Sequence, residues 1–205
     1  MQLDFDKAVS VFRKIRQIRE EIKSYSLAQG RHVVPEQEYL RVISQMYKIS
    51  IKSKEVPFEG TFLRGMVLRY PDRALILVKK NMEKDWQRFT VIKEVSHLVI
   101  DELEDWSTDA VSTIRNLLME YRIHQDRVAK SVVQSEVFAE LAAIELLYPY
   151  EDRIGDRDKI NSGELTSAQI SGRYDIPEVF CAQATSDWYH ELASAGDPPA
   201  LPGWQ

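Results

Sequence analysis

A single cysteine, Cys181, in 205 residues excludes an internal disulfide framework, and a lone thiol suits a reducing cytoplasm. Its simplest role is that of a small buried apolar side chain. No segment approaches the roughly 18 apolar residues of a membrane span, and Met1-Gln2-Leu3-Asp4-Phe5-Asp6 lacks the basic stretch and apolar run of an export signal. The expectation is a soluble, unexported, cytoplasmic chain. Gly-rich phosphate loops, CxxC pairs and a serine-nucleophile elbow are missing as well, so phosphate-loop, dithiol and serine-hydrolase chemistry have no foothold. There is no internal repeat and no low-complexity tract.

Basic residues are scarce at the C-terminal end, where residues 163–205 carry six acids against Arg173 alone. That end should repel a phosphate backbone. The positive charge lies in residues 7–31, as Lys7, Arg13, Lys14, Arg16, Arg19, Lys23 and Arg31 against Glu20 and Glu21. Leu165 to Phe180 has the rhythm of a helix-turn-helix, but Glu164, Asp175, Glu178 and Asp187 in and around it, with only Arg173 opposing them, deny it a basic footprint. A helical hairpin packed on the domain is the simpler reading. Nucleic-acid binding is therefore not expected.

What is present is enough for one substantial core, with 44% apolar residues and 10% aromatics. Phe5, Ala8, Phe12, Ile15, Ile18, Ile22 and Tyr25 recur at helical steps, so an amphipathic helix should end near Gly30. Its basic residues should form a solvated face, with the apolar stripe docked on the domain or on a second copy. Pro35-Glu36 opens a second helix through Met46. Residues 49–51, 62–70 and 74–78 are rich in strand formers, and Tyr70-Pro71-Asp72-Arg73 reads as a hairpin turn. Helical patterns then cover about 86–100, 108–124, 132–147, 166–172 and 177–193, followed by an irregular tail over 195–205. The fold class is α+β, a small antiparallel sheet packed against a helical bundle, in a single domain over 1–205.

The chemistry concentrates in Lys93-Glu94-Val95-Ser96-His97. In H-E-x-x-H, two histidines four residues apart share one helix face and reach one zinc, while the Glu handles the water. Here Lys93 stands where the first imidazole would be, as in a gluzincin helix that has lost a ligand.

Four pieces of the chain support a wider resemblance: Leu75-Ile76-Leu77-Val78-Lys79-Lys80-Asn81, the Arg88-Phe89-Thr90 entry, Glu94-Val95-Ser96-His97, and the downstream run Glu136 to Pro149 ending in Leu-Leu-Tyr-Pro. Over residues 35–185 the chain resembles the ImmA/IrrE family of zinc metallopeptidase-like proteins. The resemblance implies a zincin-like fold, Glu94 as general base, His97 and Glu136 as metal ligands, and zinc as cofactor in active members. It also implies a protein partner, a helix-turn-helix repressor-like regulator in a bacterial or phage setting. The edge of the sheet beside the motif helix, assigned to residues 74–78, would hold an extended partner segment.

The chain departs from the family pattern at three points. Lys93 replaces the first histidine, Ser96 stands where relatives usually carry Gly, and 38 residues separate His97 from Glu136. A packed helix over 108–124 accounts for most of that insert. Ser96 could hold the motif helix away from the sheet. Lys93 could ligate zinc only as the free amine, at a cost of roughly 4–5 kcal/mol at pH 7, given about 1.36 kcal/mol per unit below a free pKa of about 10.4. As the ammonium it can face Glu136 or Glu94, placing a fixed charge where a metal would sit. The leading reading is a catalytically inactive, metal-free relative that binds a regulatory protein. The alternative is an active zinc peptidase using His97, Glu136 and a third ligand, with His124 the candidate.

Each site residue also has a plainer role. Glu94 could be a cleft carboxylate wanting a partner, His97 a satisfied helix histidine, and Glu136 a helix-face acid. Tyr148 could donate near the site or simply fill the core, and His32 and His190 read as surface residues. Oligomeric state stays open.

Overall fold

The computed structural model describes residues 4–29, 33–59, 63–101 and 131–196. The expected helix over 108–124, His32, His124 and the tail from residue 197 lie outside the described residues. In chain order come α1 (Phe5–Gln29), α2 (Glu36–Tyr47), β1 (Ser50–Val56), β2 (Gly65–Arg69), β3 (Arg73–Lys79), α3 (Lys84–Ile100), α4 (Ser131–Leu147), α5 (Tyr150–Asn161), α6 (Ser167–Tyr174), α7 (Glu178–Ala184) and α8 (Asp187–Ala195). This is an α+β fold, a three-stranded sheet among helices.

The sheet is mixed rather than antiparallel. Its order is β1-β3-β2, with β2 antiparallel and β1 parallel to β3. The hairpin turn forms as expected, Tyr70 N–H donating to Arg73 O at 2.8 Å. β3 takes the centre because it is the strand with a continuous apolar face, Ala74, Ile76 and Val78 all being buried. β1 reads Ser-Ile-Lys-Ser-Lys-Glu-Val and is exposed or half-buried throughout. Such polarity suits an edge. Residues 74–78 are therefore the paired middle of the sheet and not its edge, which corrects the expectation for a partner-binding strand. The edges among the described residues are β1 and β2.

Helix α1 lays Ala8, Val11, Phe12, Ile15, Ile18 and Ile22 into the core. Phe12 meets the Tyr189 ring edge-on at 5.7 Å, and the Tyr189 hydroxyl donates to Leu141 O at 3.0 Å. The stripe thus docks on this domain, as expected, through α4 and α8. Its basic side chains are not all solvated. Arg16 Nη2 donates to Ala193 O at 2.8 Å, and Arg19 is only 8% exposed, donating from Nη1 to Glu145 Oε1 at 2.8 Å and from Nη2 to Glu151 Oε2 at 2.5 Å. The attraction of a fully buried carboxylate overrides the surface preference of arginine.

Helix α2 ends at Lys48, whose left-handed backbone (φ 54) turns the chain into β1. The segment with helix-turn-helix rhythm forms α6 and α7, a hairpin whose Ile170, Ile176 and Phe180 are buried and whose Phe180 ring stacks on Phe89 at 3.7 Å. Arg173, its one cation, is spent on Asp156 at 3.0 Å. The helical stretch expected over 177–193 is two helices, broken at Thr185 and Ser186. Cys181 is buried, and burial together with Glu178 pushes its thiol up to about 12. That leaves an unreactive packing residue.

Candidate functional site

Helix α3 is enclosed on nearly every side, since from Arg88 to Ile100 every residue except Lys93 is buried. A helix so enclosed lies inside the domain, and within this stretch Lys93 alone is part-exposed, beside the cleft that it shares with Glu136. Its wall on the sheet side is Gly65 at the start of β2. A Cβ there would lie 2.4 Å from Thr90 Cγ2 and 2.9 Å from Glu94 Cγ. Thr90 cannot give way easily, because its hydroxyl donates to Trp86 O at 2.7 Å and fixes the rotamer. We expect Gly65→Ala to cost about 1–3 kcal/mol by overpacking. Adding Thr90→Ser should recover most of that, measured by urea unfolding of the single and double variants. Ser96 is fully buried. Its hydroxyl folds back to Ile92 O at 2.7 Å, and the close approach between α3 and the sheet is made by Gly65.

Helix α4 forms the opposite wall and carries Glu136. The Lys93 ammonium is paired with Glu136 Oε2 and lies 3.3 Å from Glu94 Oε1. Burial pulls the ammonium down, but the carboxylates of Glu94 and Glu136 outweigh it and hold it above its ordinary range. The converse holds for Glu136, where burial pushes up and Lys93 and His97 prevail, keeping the carboxyl well below its usual value. Lys93 is therefore an ammonium and Glu136 a carboxylate across the physiological range.

One turn on, His97 Nδ1 lies 2.9 Å from Asp101 Oδ2 and 3.1 Å from Ser135 Oγ, while Ser135 Oγ donates to Asp101 Oδ1 at 2.5 Å. His97 Nε2 is buried and 3.5 Å from Glu136 Oε1, near enough for attraction between charges but not aligned as a hydrogen bond. Burial lowers the imidazolium, yet Glu136 and the bond to Asp101 raise it to about 10. Its position in the last turn of α3 adds the favourable end of the helix dipole. At pH 7 the cleft holds two cations, Lys93 and His97, on either side of the Glu136 carboxylate.

The linked pH dependence follows in sign. A folded value near 10 against 6.5 in the unfolded chain means that the His97 contribution is complete below about pH 6.5 and lost as pH rises toward 10. Stability should fall between pH 7 and 10, and His97→Gln should flatten that slope. Denaturant midpoints across this range provide the check, and an unchanged slope in the variant would assign the effect elsewhere.

Lys93, Glu94, His97 and Glu136, the four residues singled out from the sequence, converge on this cleft. Asp101, Ser135 and Glu140 join them. Asp101 lies four residues after His97 on the same helix face, a spacing open to inspection, whereas nothing local marks Ser135 beyond its place before Glu136. Glu140 sits one turn after Glu136, where burial raises its carboxyl against the pull of Lys93. Tyr148 stands apart, fully buried with its hydroxyl 3.1 Å from Asp156 Oδ2. It is a core residue. His190 is half-buried on α8, 5.4 Å from the Tyr150 ring.

With Lys93 as an ammonium, the described residues offer zinc one donor fewer than H-E-x-x-H does. A zinc site needs lone pairs on nitrogen or sulfur, or carboxylates, converging at about 2.0–2.3 Å. Lys93 Nζ is paired with Glu136 Oε2 and, as an ammonium, offers only protons. Among the described residues, no three His, Cys, Asp or Glu side chains are grouped to hold a metal. Nor is any described helix long and apolar enough to cross a membrane. No protein-family model matches the chain, and no curated protein matches it.

Proposed function

We propose that this chain is a metallopeptidase-like protein without the peptidase step, its cleft closed by an ion pair, which acts by binding a regulatory protein. The observation that carries the reading is the Lys93 ammonium seated between Glu136 and Glu94, where an active relative would need a neutral imidazole. With the first ligand position held by an ammonium, the described residues can bind, orient and repel, and Glu94, the general-base position, is engaged by Lys93.

The partner side of the proposal rests on β2. Among the described residues it is an edge strand, and a Cβ on Gly65 at its start would lie 2.9 Å from Glu94 Cγ. By antiparallel alternation from the Lys79 N–H to Arg64 O bond, the backbone groups of Gly65 and Val67 point away from β3. An extended segment paired along them would run past the Lys93–Glu136 pair. A helix-turn-helix regulator is the partner class implied by the resemblance.

Zinc stoichiometry tests the inactive half of the reading. After exposure to excess zinc and desalting, wild type should retain close to none, while Lys93→His should retain about one ion per chain. Zinc held by wild type would favour the second reading, an active peptidase in which the buried Nε2 of His97, without a hydrogen bond here, is a ligand. For the binding half, a regulator encoded beside this chain should form an intact complex on gel filtration, and Val67→Pro should abolish it. Cleavage of the regulator would overturn the proposal.

A further inference from the structure

A second cleft, of about 190 Å³, opens where α1 and α2 meet the α4–α5 corner, with Arg88 of α3 in its wall. At about 30 Å³ per water molecule it holds on the order of six waters, the size of a small organic molecule. Ile22, Val34 and Leu146 supply an apolar wall.

Arg88 is the unusual member. It is only 9% exposed, its Nη1 donates to Val34 O at 2.9 Å, and its Nε is buried with no hydrogen-bond partner. Among the described residues no carboxylate forms an ion pair with it. Glu36 is near enough to feel its charge, though burial still raises that carboxyl. Another neighbour of Arg88 is the Tyr39 ring, 5.9 Å from Cζ, and a guanidinium this far from water is left without an anion in ion-pair contact, which is costly.

The two acids lining the cleft are already engaged. Glu151 takes Arg19 Nη2 at 2.5 Å, and Asp152 lies beside Tyr174, whose hydroxyl it holds in the protonated form together with burial. Lys23 adds a further cation to the lining. We infer that this cleft binds a small organic carboxylate, its head on Arg88 and Lys23 and its short aromatic or aliphatic body against Ile22 and Leu146. The apolar wall and the two neighbouring acids disfavour a dianion such as phosphate. The site is separate from the Lys93 cleft and does not depend on the reading of it.

Calorimetric titration of the full chain with benzoate, hexanoate, inorganic phosphate and the neutral isostere benzamide tests the inference. Benzoate should bind saturably, about tenfold or more tighter than benzamide, because a hydrogen bond to a charged group is worth more than one to a neutral group. Arg88→Gln should weaken benzoate at least tenfold and Lys23→Gln two- to threefold, while Lys52→Gln on β1 should change nothing. If Arg88→Gln fails to fold, Lys23→Gln and the benzamide comparison decide. No saturable binding of benzoate or hexanoate, equal binding of benzamide, or tighter binding of phosphate would overturn it.

Discussion

Glu145→Ala should lower the unfolding free energy by about 3–5 kcal/mol, the largest effect expected of any single substitution outside the apolar core. Glu145 has no solvent exposure, and its two carboxylate oxygens are shared between Arg19 Nη1 at 2.8 Å and Arg153 Nη2 at 2.6 Å. Tyr150 N–H also donates to it, at 3.3 Å. Arg153 is 3% exposed and surrounded by the rings of Tyr148, Tyr150 and Tyr189. Removing the carboxylate strands two guanidinium groups out of water, and only Arg19 has a second carboxylate, Glu151, to turn to. Glu145→Gln keeps an acceptor while losing the charge and should cost less. The triple replacement Arg19→Met, Glu145→Leu, Arg153→Met should recover most of the loss, since a whole buried network is often replaceable where half of one is not. Urea unfolding followed by circular dichroism reads all three. A Glu145→Ala loss under about 1 kcal/mol would mean that the arginines reach water once released.

Lys93→Met should cost about 2–4 kcal/mol at pH 7. It leaves Glu136 and Glu94 facing one another with the ammonium gone, and the Glu136 side chain, 33% exposed, has water as partial relief. The deficit should depend on pH in a stated direction. In wild type the Glu136 carboxyl is held well below its ordinary value, so its contribution is complete above about pH 4.5 and lost as pH falls further. In Lys93→Met that depression is largely removed. The gap between the two proteins should be widest above pH 5 and close on acidification. Glu136→Gln in the Lys93→Met background should restore stability, with a coupling energy of about 1–3 kcal/mol in the double-mutant cycle. A deficit that stays constant down to pH 3 would assign the loss to packing of the lysine stem instead.

The sequence made the cleft more legible than the sheet. Lys93 and His97 are four residues apart, so helical geometry alone puts them on one face. The Glu136 run carries three acids, Glu136, Glu140 and Glu145, and it is the resemblance, not the run alone, that picks out Glu136 as the one facing His97. Strand direction has no such local mark. β1 and β2 are both short, and nothing in Ser50–Val56 announces that it pairs with a strand beginning 17 residues after its end, in parallel, once β3 has taken the middle. Helix α5 went unseen for a different reason. Its buried side chains are Tyr150, Arg153 and Asp156, so its inward face is largely polar and leaves no hydrophobic period. The break at Thr185 and Ser186 was hidden by the opposite circumstance, apolar residues continuing at helical spacing on both sides of it. Arg19 could not be told from its exposed neighbours in α1, because the carboxylate that buries it lies 126 residues away.

The central place of β3 has a consequence for how the chain assembles as it is made. Among the described residues, neither β1 nor β2 has a neighbour in the sheet until residues 73–79 have emerged, so a nascent chain ending at Asp72 has no partner strand for either. When β3 arrives, β2 is already beside it across a turn of a few residues, and loop closure is cheap. β1 must then come in from the other side as a parallel strand. Its exposed Lys52, Ser53, Lys54 and Glu55 keep it from pairing with other chains during the wait. The polar strand that contributes least to the core thereby protects the order in which the core is built.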